Sequence, residues 1–358
     1  MQIEYIAQWE DCADENSERE FSPAGVAKMD YYLSVFEHLG ADVEVYTTCP
    51  RRDKGFSFCK TVDSPKRRVR YRASFKSSNP RINYLDLMFG QLQLAIKLLF
   101  LNRRRTVVFY HERLYTPVLK YIAKIRRLRY ILDVEEVYTL AAERRQKYID
   151  KELKSLTGAR AYILATRSLE SYVDARKPKV ICNGNYSPPA KINGGDRKRV
   201  LYSGTFDRKK GGAQIAVAAA AYLPADFTLV ICGFGTESEV AEIENAICAH
   251  NNSGIGCKIE YHGKLTGESY ISVLKSCGLG LACQNPSHKL CATSFPSKIF
   301  EYLRAGLSVI SSDVEVVRHS VCAPAIVFFS PFDANELAHE IITTCRGGGL
   351  CEYSQIAA

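Results

Sequence analysis

Phe295-Pro296-Ser297-Lys298-Ile299-Phe300-Glu301-Tyr302-Leu303-Arg304-Ala305-Gly306-Leu307-Ser308-Val309-Ile310 is the segment around which the rest of the chain is organised. Pro296 suits the first position of a helix, where its missing N–H would be unpaired in any case, and Gly306 stops that helix after Ala305. The first turn of such a helix is an anion site. Free backbone N–H groups and the positive end of the helix dipole point out of it, with Ser297 as a further donor and Lys298 as a further cation. Glu301 lies one turn further in. An anion beside hydroxyls that a carboxylate can accept describes a nucleoside diphosphate with its ribose; a surface helix with ordinary charges is the competing reading of this segment alone.

Outward from that stretch, strands and helices alternate. Residues 200–203 read as a strand, followed by the glycine-bounded basic loop Gly204-Thr205-Phe206-Asp207-Arg208-Lys209-Lys210-Gly211-Gly212 and an alanine-rich helix over 213–223. A strand over 227–232 ends in Gly233-Phe234-Gly235, ahead of a helix over 237–249. Strands at 258–261, 278–282, 309–311 and 325–328 and helices at 268–276 and 335–344 complete the half. The clearest linker precedes all of this: it carries Pro188-Pro189 and Asn193-Gly194-Gly195.

The first half repeats the alternation. Met1 to Ile6 reads as a first strand rather than a signal peptide. Ser22-Pro23-Ala24-Gly25 opens a helix that lays Val26, Met29, Leu33 and Phe36 on a sheet and ends at Gly40, before a strand over 43–47. Gly25 would let a ligand approach the backbone, or simply belong to a helix cap. Residues 50–80 read as a long polar connection with one strand near 69–72. Leu85, Met88, Phe89, Leu92, Ile96 and Leu99 mark one face of a helix whose other side carries Leu87, Leu94 and Leu98. Such a helix is normally buried, with a place on a membrane surface as the alternative. Strands over 106–110 and 130–134 end in His111-Glu112-Arg113 and Glu135-Glu136, and open α/β sheets bind ligands beyond the carboxyl ends of their strands. His111, Arg113, Asp133, Glu135 and Glu136 are therefore site candidates, although acidic helix starts after strands are common. A long helical stretch through Leu156 and strands at 161–165 and 180–182 follow, then the turn Asn183-Gly184-Asn185.

Composition narrows the function classes. A chain of 358 residues with 46% hydrophobic and 24% charged residues has room for two ordinary domains. Thirteen cysteines, none in a C-x-x-C pair, argue for reduced thiols in a cytoplasm, against a disulfide framework or a structural zinc site. The most apolar run, 85–101, is interrupted by Gln91, Gln93 and Lys97 and falls short of the roughly 20 residues a spanning helix needs. The net charge of +9 is concentrated in first-half runs such as Arg103-Arg104-Arg105 and Arg126-Arg127-Leu128-Arg129. These runs suit plain solvation or a peripheral seat on an anionic, cytoplasmic membrane face. No groove-reading motif accompanies them, so nucleic acid is not an expected partner.

Two βαβ domains joined by a Pro/Gly hinge, with a phosphate-type helix start in the second, resemble the retaining glycosyltransferases of the GT-B fold, and most closely glycosyltransferase family 4. Ser22 to Val26 is similar to the family's glycine turn, Asn183-Gly184 to its domain-closing Asn-Gly, and Gly204 to Gly211 to its donor-phosphate loop. Gly233-Phe234-Gly235 is similar to its G-x-G turn, and 296–310 to its most specific motif. The resemblance implies an α/β protein of two Rossmann-like domains facing across a cleft, with an acceptor domain over 1–187, a linker over 188–197 and a nucleotide-sugar domain over 198–358. It also implies a last helix crossing back onto the first domain; with the sequence stopping soon after Gly347-Gly348-Gly349, either that brace is lacking or the C-terminus is cut short.

The resemblance implies roles as well. Glu301 would bind the ribose hydroxyls, and Lys209 or Lys210 the diphosphate. Lys210, Lys298 and Glu301 are the expected catalytic residues. Gly204, Thr205, Arg208, Lys209, Gly233, Gly235, Thr293, Pro296, Ser297 and Ile299 are expected around the donor, and Gly25, His111, Arg113, Glu135 and Glu136 around a saccharide or lipid-linked acceptor. Two positions depart from the family pattern: its first glutamate falls on Thr293, and the arginine expected after Gly204 is Thr205. With no acidic pair on the donor side, neither metal nor cofactor is expected, and fixed cations would stabilise the leaving diphosphate. A catalytically silent nucleotide-sugar-binding relative is the alternative. An epimerase on the same fold is disfavoured by the run 281–300, which contains no Asp or Glu to serve as acid or base.

Overall fold

In the computed structural model the described residues are 1–11, 17–63, 67–185 and 195–347. The chain divides into two compact units, Met1–Asn185 and Tyr186–Ala358. Of the linker expected over 188–197, residues 188–194 lie outside the described residues, as does the segment after Gly347.

The first unit contains β1 (Gln2–Ala7), α1 (Pro23–His38), β2 (Asp42–Thr47), β3 (Gly55–Ser57), β4 (Lys60–Asp63), β5 (Arg68–Tyr71), β6 (Ser74–Lys76) and α2 (Pro80–Phe100). There follow β7 (Thr106–Tyr110), α3 (Thr116–Arg126), β8 (Tyr130–Val134), α4 (Tyr138–Ala141), α5 (Gln146–Leu156), β9 (Ala161–Leu164) and β10 (Lys179–Ile181). Eight strands form one sheet in the order β10-β9-β8-β7-β1-β2-β5-β4, parallel except for the β4 edge. The strand order reverses between β1 and β7, the kind of point beyond whose carboxyl strand ends open α/β sheets bind ligands. α2, α3 and α5 share one core with strand residues such as Ile6, Phe109 and Leu132.

Three expectations for this unit are corrected. The 50–80 connection holds β3, β4 and β6 besides β5; β4 is exposed along its length, so it carries no apolar alternation to betray it. The helical stretch to Leu156 is broken between α4 and α5, where Glu143 takes φ of 48°. Glu152 then reaches back from α5 to accept the N–H groups of Tyr138 (3.0 Å) and Thr139 (2.7 Å) at the start of α4. Finally, α2 is not buried on its leucine-rich stripe. Its inner face is Asp86, Gly90, Leu94 and Leu98, whereas Leu85, Met88, Leu92, Ile96 and Leu99 face solvent. The orientation is set by a buried ion pair, Arg72 Nη2 to Asp86 Oδ2 at 2.8 Å, and by Gly90, where an added Cβ would meet the Tyr115 hydroxyl at 2.2 Å. A charged residue and a glycine choose the packed face, which counting apolar residues misses.

The second unit contains β11 (Asp196–Thr205), α6 (Gly212–Ala219), β12 (Thr228–Phe234), α7 (Glu237–Ser253), β13 (Lys258–Tyr261) and α8 (Gly267–Ser276). It continues with β14 (Cys277–Ala282), α9 (Lys298–Arg304), β15 (Ser308–Ser312), α10 (Glu315–Arg318), β16 (Ile326–Phe329) and α11 (Ala334–Arg346). Its sheet is wholly parallel, in the order β13-β12-β11-β14-β15-β16. β11 starts earlier than the apolar pattern indicates because Asp196 to Arg199 are polar; Arg199 is held by Glu260 at 2.8 Å. The reversal of strand order falls between β11 and β14. Ile299, Phe300, Tyr302 and Leu303 of α9 are buried against β14 and β15, each contributing about 1.5–3 kcal/mol through burial. Gly306, at φ 77°, turns the chain out of α9 into β15.

Candidate functional site

Two loops leave the sheet of the second unit on either side of its reversal point. One runs from β11 through Phe206 to Gly211 into α6; the other runs from β14 to α9. They are joined where Asn285 N donates to Lys210 O at 2.7 Å. Gly212 makes this junction possible, since a Cβ there would lie 2.3 Å from Cys283 O. Asp207 shapes the first loop by accepting from the backbone N–H groups of Lys209 (2.7 Å) and Lys210 (3.4 Å). The topology thus brings the expected donor residues 204–210 and 293–301 to one end of one sheet.

Their side chains divide into distinct groups. Lys210 is half-buried and makes no ion pair with a described residue. Arg208 is exposed and bonds to Glu242 on α7. Lys298 Nζ lies 2.7 Å from Glu301 Oε2, and the Tyr270 hydroxyl donates to the same oxygen at 2.9 Å. Lys298 also sits over the Tyr270 ring, 4.5 Å from its centroid, with its ammonium 3.2 Å from the phenol oxygen. Burial, reinforced by the Glu301 charge, pushes the Tyr270 phenol far up, so it stays a donor. The expected helix start is corrected by two residues: α9 begins at Lys298, with Ser297 exposed at the cap and bonding no N–H through its side chain. Pro296 instead opens a tight turn in which Ile299 N donates to Pro296 O at 3.1 Å. Ile299 is fully buried, so its side chain belongs to the core rather than to a donor contact, and Thr293 is buried as well.

The two glycines expected around the donor on β12 and just after it differ in how tightly they are packed. A Cβ on Gly233 would lie 2.2 Å from Gly204 O and against the Phe206 ring, so β12 could not pass β11 with a larger residue. Gly235 is less constrained, its nearest neighbour being the Glu239 carboxylate. Thr205 ends β11, and its carbonyl accepts from the Tyr202 hydroxyl at 2.9 Å. No local signal in the sequence marks Tyr270 or Tyr302 as a site residue. Tyr302 receives Ser203 N on its hydroxyl oxygen at 2.9 Å, and both tyrosines gain their place from partners far along the chain.

In the first unit, the expected acceptor residues gather around the carboxyl ends of β7 and β8 and the first turns of α1. His111 is wholly buried: Nδ1 meets Thr116 Oγ1 at 2.8 Å and Nε2 meets Glu152 Oε1 at 3.0 Å. This corrects its expected contact with acceptor, because both ring nitrogens are engaged. Burial raises the Glu152 carboxyl, but the bonds from His111 and Thr139 outweigh it and hold the group below the usual range. Glu135 is paired with Lys28 of α1 at 2.5 Å. Burial lowers the Lys28 ammonium, while Glu135 and Asp133 more than restore it. Asp133 is buried beneath the pair and pushed upward by desolvation, with Lys28 opposing. Arg113 is exposed, Glu136 half-buried. Gly25 N donates to Ser22 Oγ at 3.3 Å, so it serves the cap of α1, yet an added Cβ would meet nothing nearer than 3.5 Å. Glu112, noted in the sequence only as part of a strand end, is buried and accepts from Thr48 (2.5 Å) and Gln8 (3.1 Å). Burial pushes it up to about 7.

Among the described residues, Glu336, His339 and Glu340 on α11 stand close enough to share a metal ion, and no expected donor residue belongs to that group.

Residues 197–346 match the family model described as Glycosyl transferases group 1. No curated protein matches the chain. Among solved structures, HepE from Anabaena in complex with UDP has a TM-score of 0.63 and 12% identity, over 100% of this chain and 93% of its own. The α,α-trehalose 6-phosphate synthase of Burkholderia multivorans has a TM-score of 0.65 and 10% identity, over 99% and 91%. An E. coli structure described as trehalose-6-phosphate bound with UDP-2-fluoro glucose has a TM-score of 0.67 and 12% identity, over 100% and 94%.

Proposed function

We propose that this chain, which has the GT-B fold and matches Glycosyl transferases group 1 over residues 197–346, is a glycosyltransferase that transfers a sugar from a nucleoside diphosphate sugar, with UDP the first candidate, to a saccharide or lipid-linked acceptor. The observation that carries the reading is the meeting of the 206–211 and 283–297 loops at the reversal point of the second sheet, with Lys210, Lys298 and Glu301 on or beside them. UDP is preferred because the HepE structure holds UDP and the E. coli structure a UDP-sugar.

In this reading the ribose hydroxyls donate to Glu301 Oε1, while Oε2 stays with Lys298 and Tyr270. Lys210 and Lys298 face the diphosphate, and fixed cations stabilise the charge that develops on it as the sugar departs. The bond from the anomeric carbon to the diphosphate breaks, a bond to the acceptor oxygen forms on the same face, and the acceptor proton passes to the departing phosphate. The configuration is retained, and neither metal nor cofactor takes part. Polysaccharide or glycolipid synthesis on the cytoplasmic side of a membrane suits the basic character of the first unit.

Thermal melts with UDP, GDP, TDP, CMP and ATP test the donor assignment, since a ligand at about 100 times its Kd adds about 2.7 kcal/mol. The expected result is a shift with UDP that falls to about half or less in Glu301→Ala, followed by release of UDP from a UDP-sugar when acceptor is present. No shift with any nucleotide would overturn the donor site.

A further inference from the structure

The outer face of α2 is apolar where a helix packed on a sheet ordinarily shows polar residues. Leu85, Met88, Leu92, Ile96 and Leu99 follow one another at three- and four-residue spacing and are all exposed, Leu92 at 56%, with Phe100 at 84% ending the stripe. α3 lies alongside and runs in the same direction: Gln91 Nε2 donates to Leu114 O at 2.7 Å near its start, and Arg126 Nη2 to Leu101 O at 3.2 Å at its end. On α3, Tyr121 and Ile125 are exposed four residues apart. The fold has no packing use for these side chains, because α2 already seats itself through Asp86, Gly90, Leu94 and Leu98.

Charge identifies the occupant. From residue 80 to residue 129 the only acidic residues are Asp86 and Glu112, and both are buried. Arg81, Arg103, Arg104, Lys124, Arg127 and Arg129 are exposed over the same span. Lys97 and Arg105 turn inward to Glu4. The apolar stripe is thus rimmed by cations, with no exposed carboxylate on these two helices and the turns that follow them. A two-fold pairing of this face with itself would set those cations against one another. None of the helices is long and apolar enough to cross a membrane among the described residues.

We propose that the α2–α3 face docks on an anionic lipid bilayer, with the α2 stripe entering the boundary between headgroups and acyl chains and the arginines at the ends of α2 and α3 meeting the headgroups. The proposal rests on the membrane-side part of the proposed function and names the face that would carry it, independently of the donor site.

Sedimentation of the full chain with vesicles of phosphatidylcholine, alone or in an equimolar mixture with phosphatidylglycerol, tests it. Binding is expected to the anionic vesicles, and to weaken by more than about tenfold in Arg103→Glu/Arg104→Glu, since each cation near such a surface matters individually. Leu92→Glu/Ile96→Glu should lose binding even at low salt, where charge attraction is strongest. These positions are exposed, so unchanged melting temperatures are expected. Unchanged nucleotide-induced shifts would separate loss of docking from failure of the donor site. Failure of the wild type to bind anionic vesicles, or equal binding by the variants, overturns the proposal. So does a lipid-independent dimer that Leu92→Glu dissociates, which would make the face a self-interface.

Discussion

Lys298 Nζ stands 2.7 Å from Glu301 Oε2, one helical turn away, and the Tyr270 hydroxyl from a different helix bonds the same oxygen. The carboxylate is therefore held by two donors before any nucleotide arrives, leaving Oε1 as its available acceptor. Preorganised acceptors of this kind cost little to order when a ligand binds.

Glu301→Ala is expected to weaken nucleotide binding by about tenfold to a hundredfold, and Tyr270→Phe by about threefold to tenfold, following the range for charged and neutral hydrogen bonds. Isothermal titration with UDP measures both. A Tyr270→Phe protein that binds as weakly as Glu301→Ala would mean that the tyrosine touches the ligand itself.

Lys210 and Arg208 lie two residues apart but differ in what they can do. Arg208 is exposed and tied to Glu242, whereas Lys210 sits at the junction of the two loops without an ion pair to a described residue. Lys210→Ala should lower kcat by about a hundredfold to a thousandfold, the scale for losing one transition-state donor. Arg208→Ala should stay within about threefold, as for a solvent-exposed pair. Steady-state release of UDP from a UDP-sugar distinguishes them, and comparable losses would contradict the separation.

Gly212→Ala forces a Cβ to 2.3 Å from Cys283 O, which neither backbone can yield cheaply. A loss of about 2–4 kcal/mol is expected in urea denaturation. Gly25→Ala, with its nearest neighbours at 3.5 Å, should leave stability within about 1 kcal/mol of wild type and so makes a clean probe of backbone approach at α1.

The pH dependence of stability should carry the mark of Glu112. Burial raises its folded-state carboxyl to about 7, so the folded protein holds that proton more tightly than the unfolded chain does. Its contribution is complete below the unfolded value and is lost as the pH rises through the folded one, a decline of about 1–3 kcal/mol from pH 4 to 8. Glu112→Gln should flatten that decline in urea melts taken across the range. An identical slope in the variant would assign the pH dependence to another group.

Much of the scaffold was legible because it rests on local chemistry. The apolar strand runs, the helix periods and Gly40 and Gly306 at helix ends act within a few residues, so the alternation of the second unit emerges nearly intact from 200 to 346. The carboxyl ends of its strands follow from the same pattern, and with them the two loops that meet at the reversal point. What the side chains do there was not legible. Lys298 looks like a free cation until Tyr270 and Glu301 are seen around it. His111 looks like a site residue until Glu152, from a helix 41 positions later, engages its second nitrogen. On α2 the count of leucines suggests one buried face, while a salt bridge to Arg72 and the close approach of Tyr115 select the other. Local sequence determined which elements form and in what order, because backbone preferences and apolar periods are short-range. Which polar groups pair with one another and which stay available emerges only in three dimensions, because those pairings depend on contacts between residues distant along the chain.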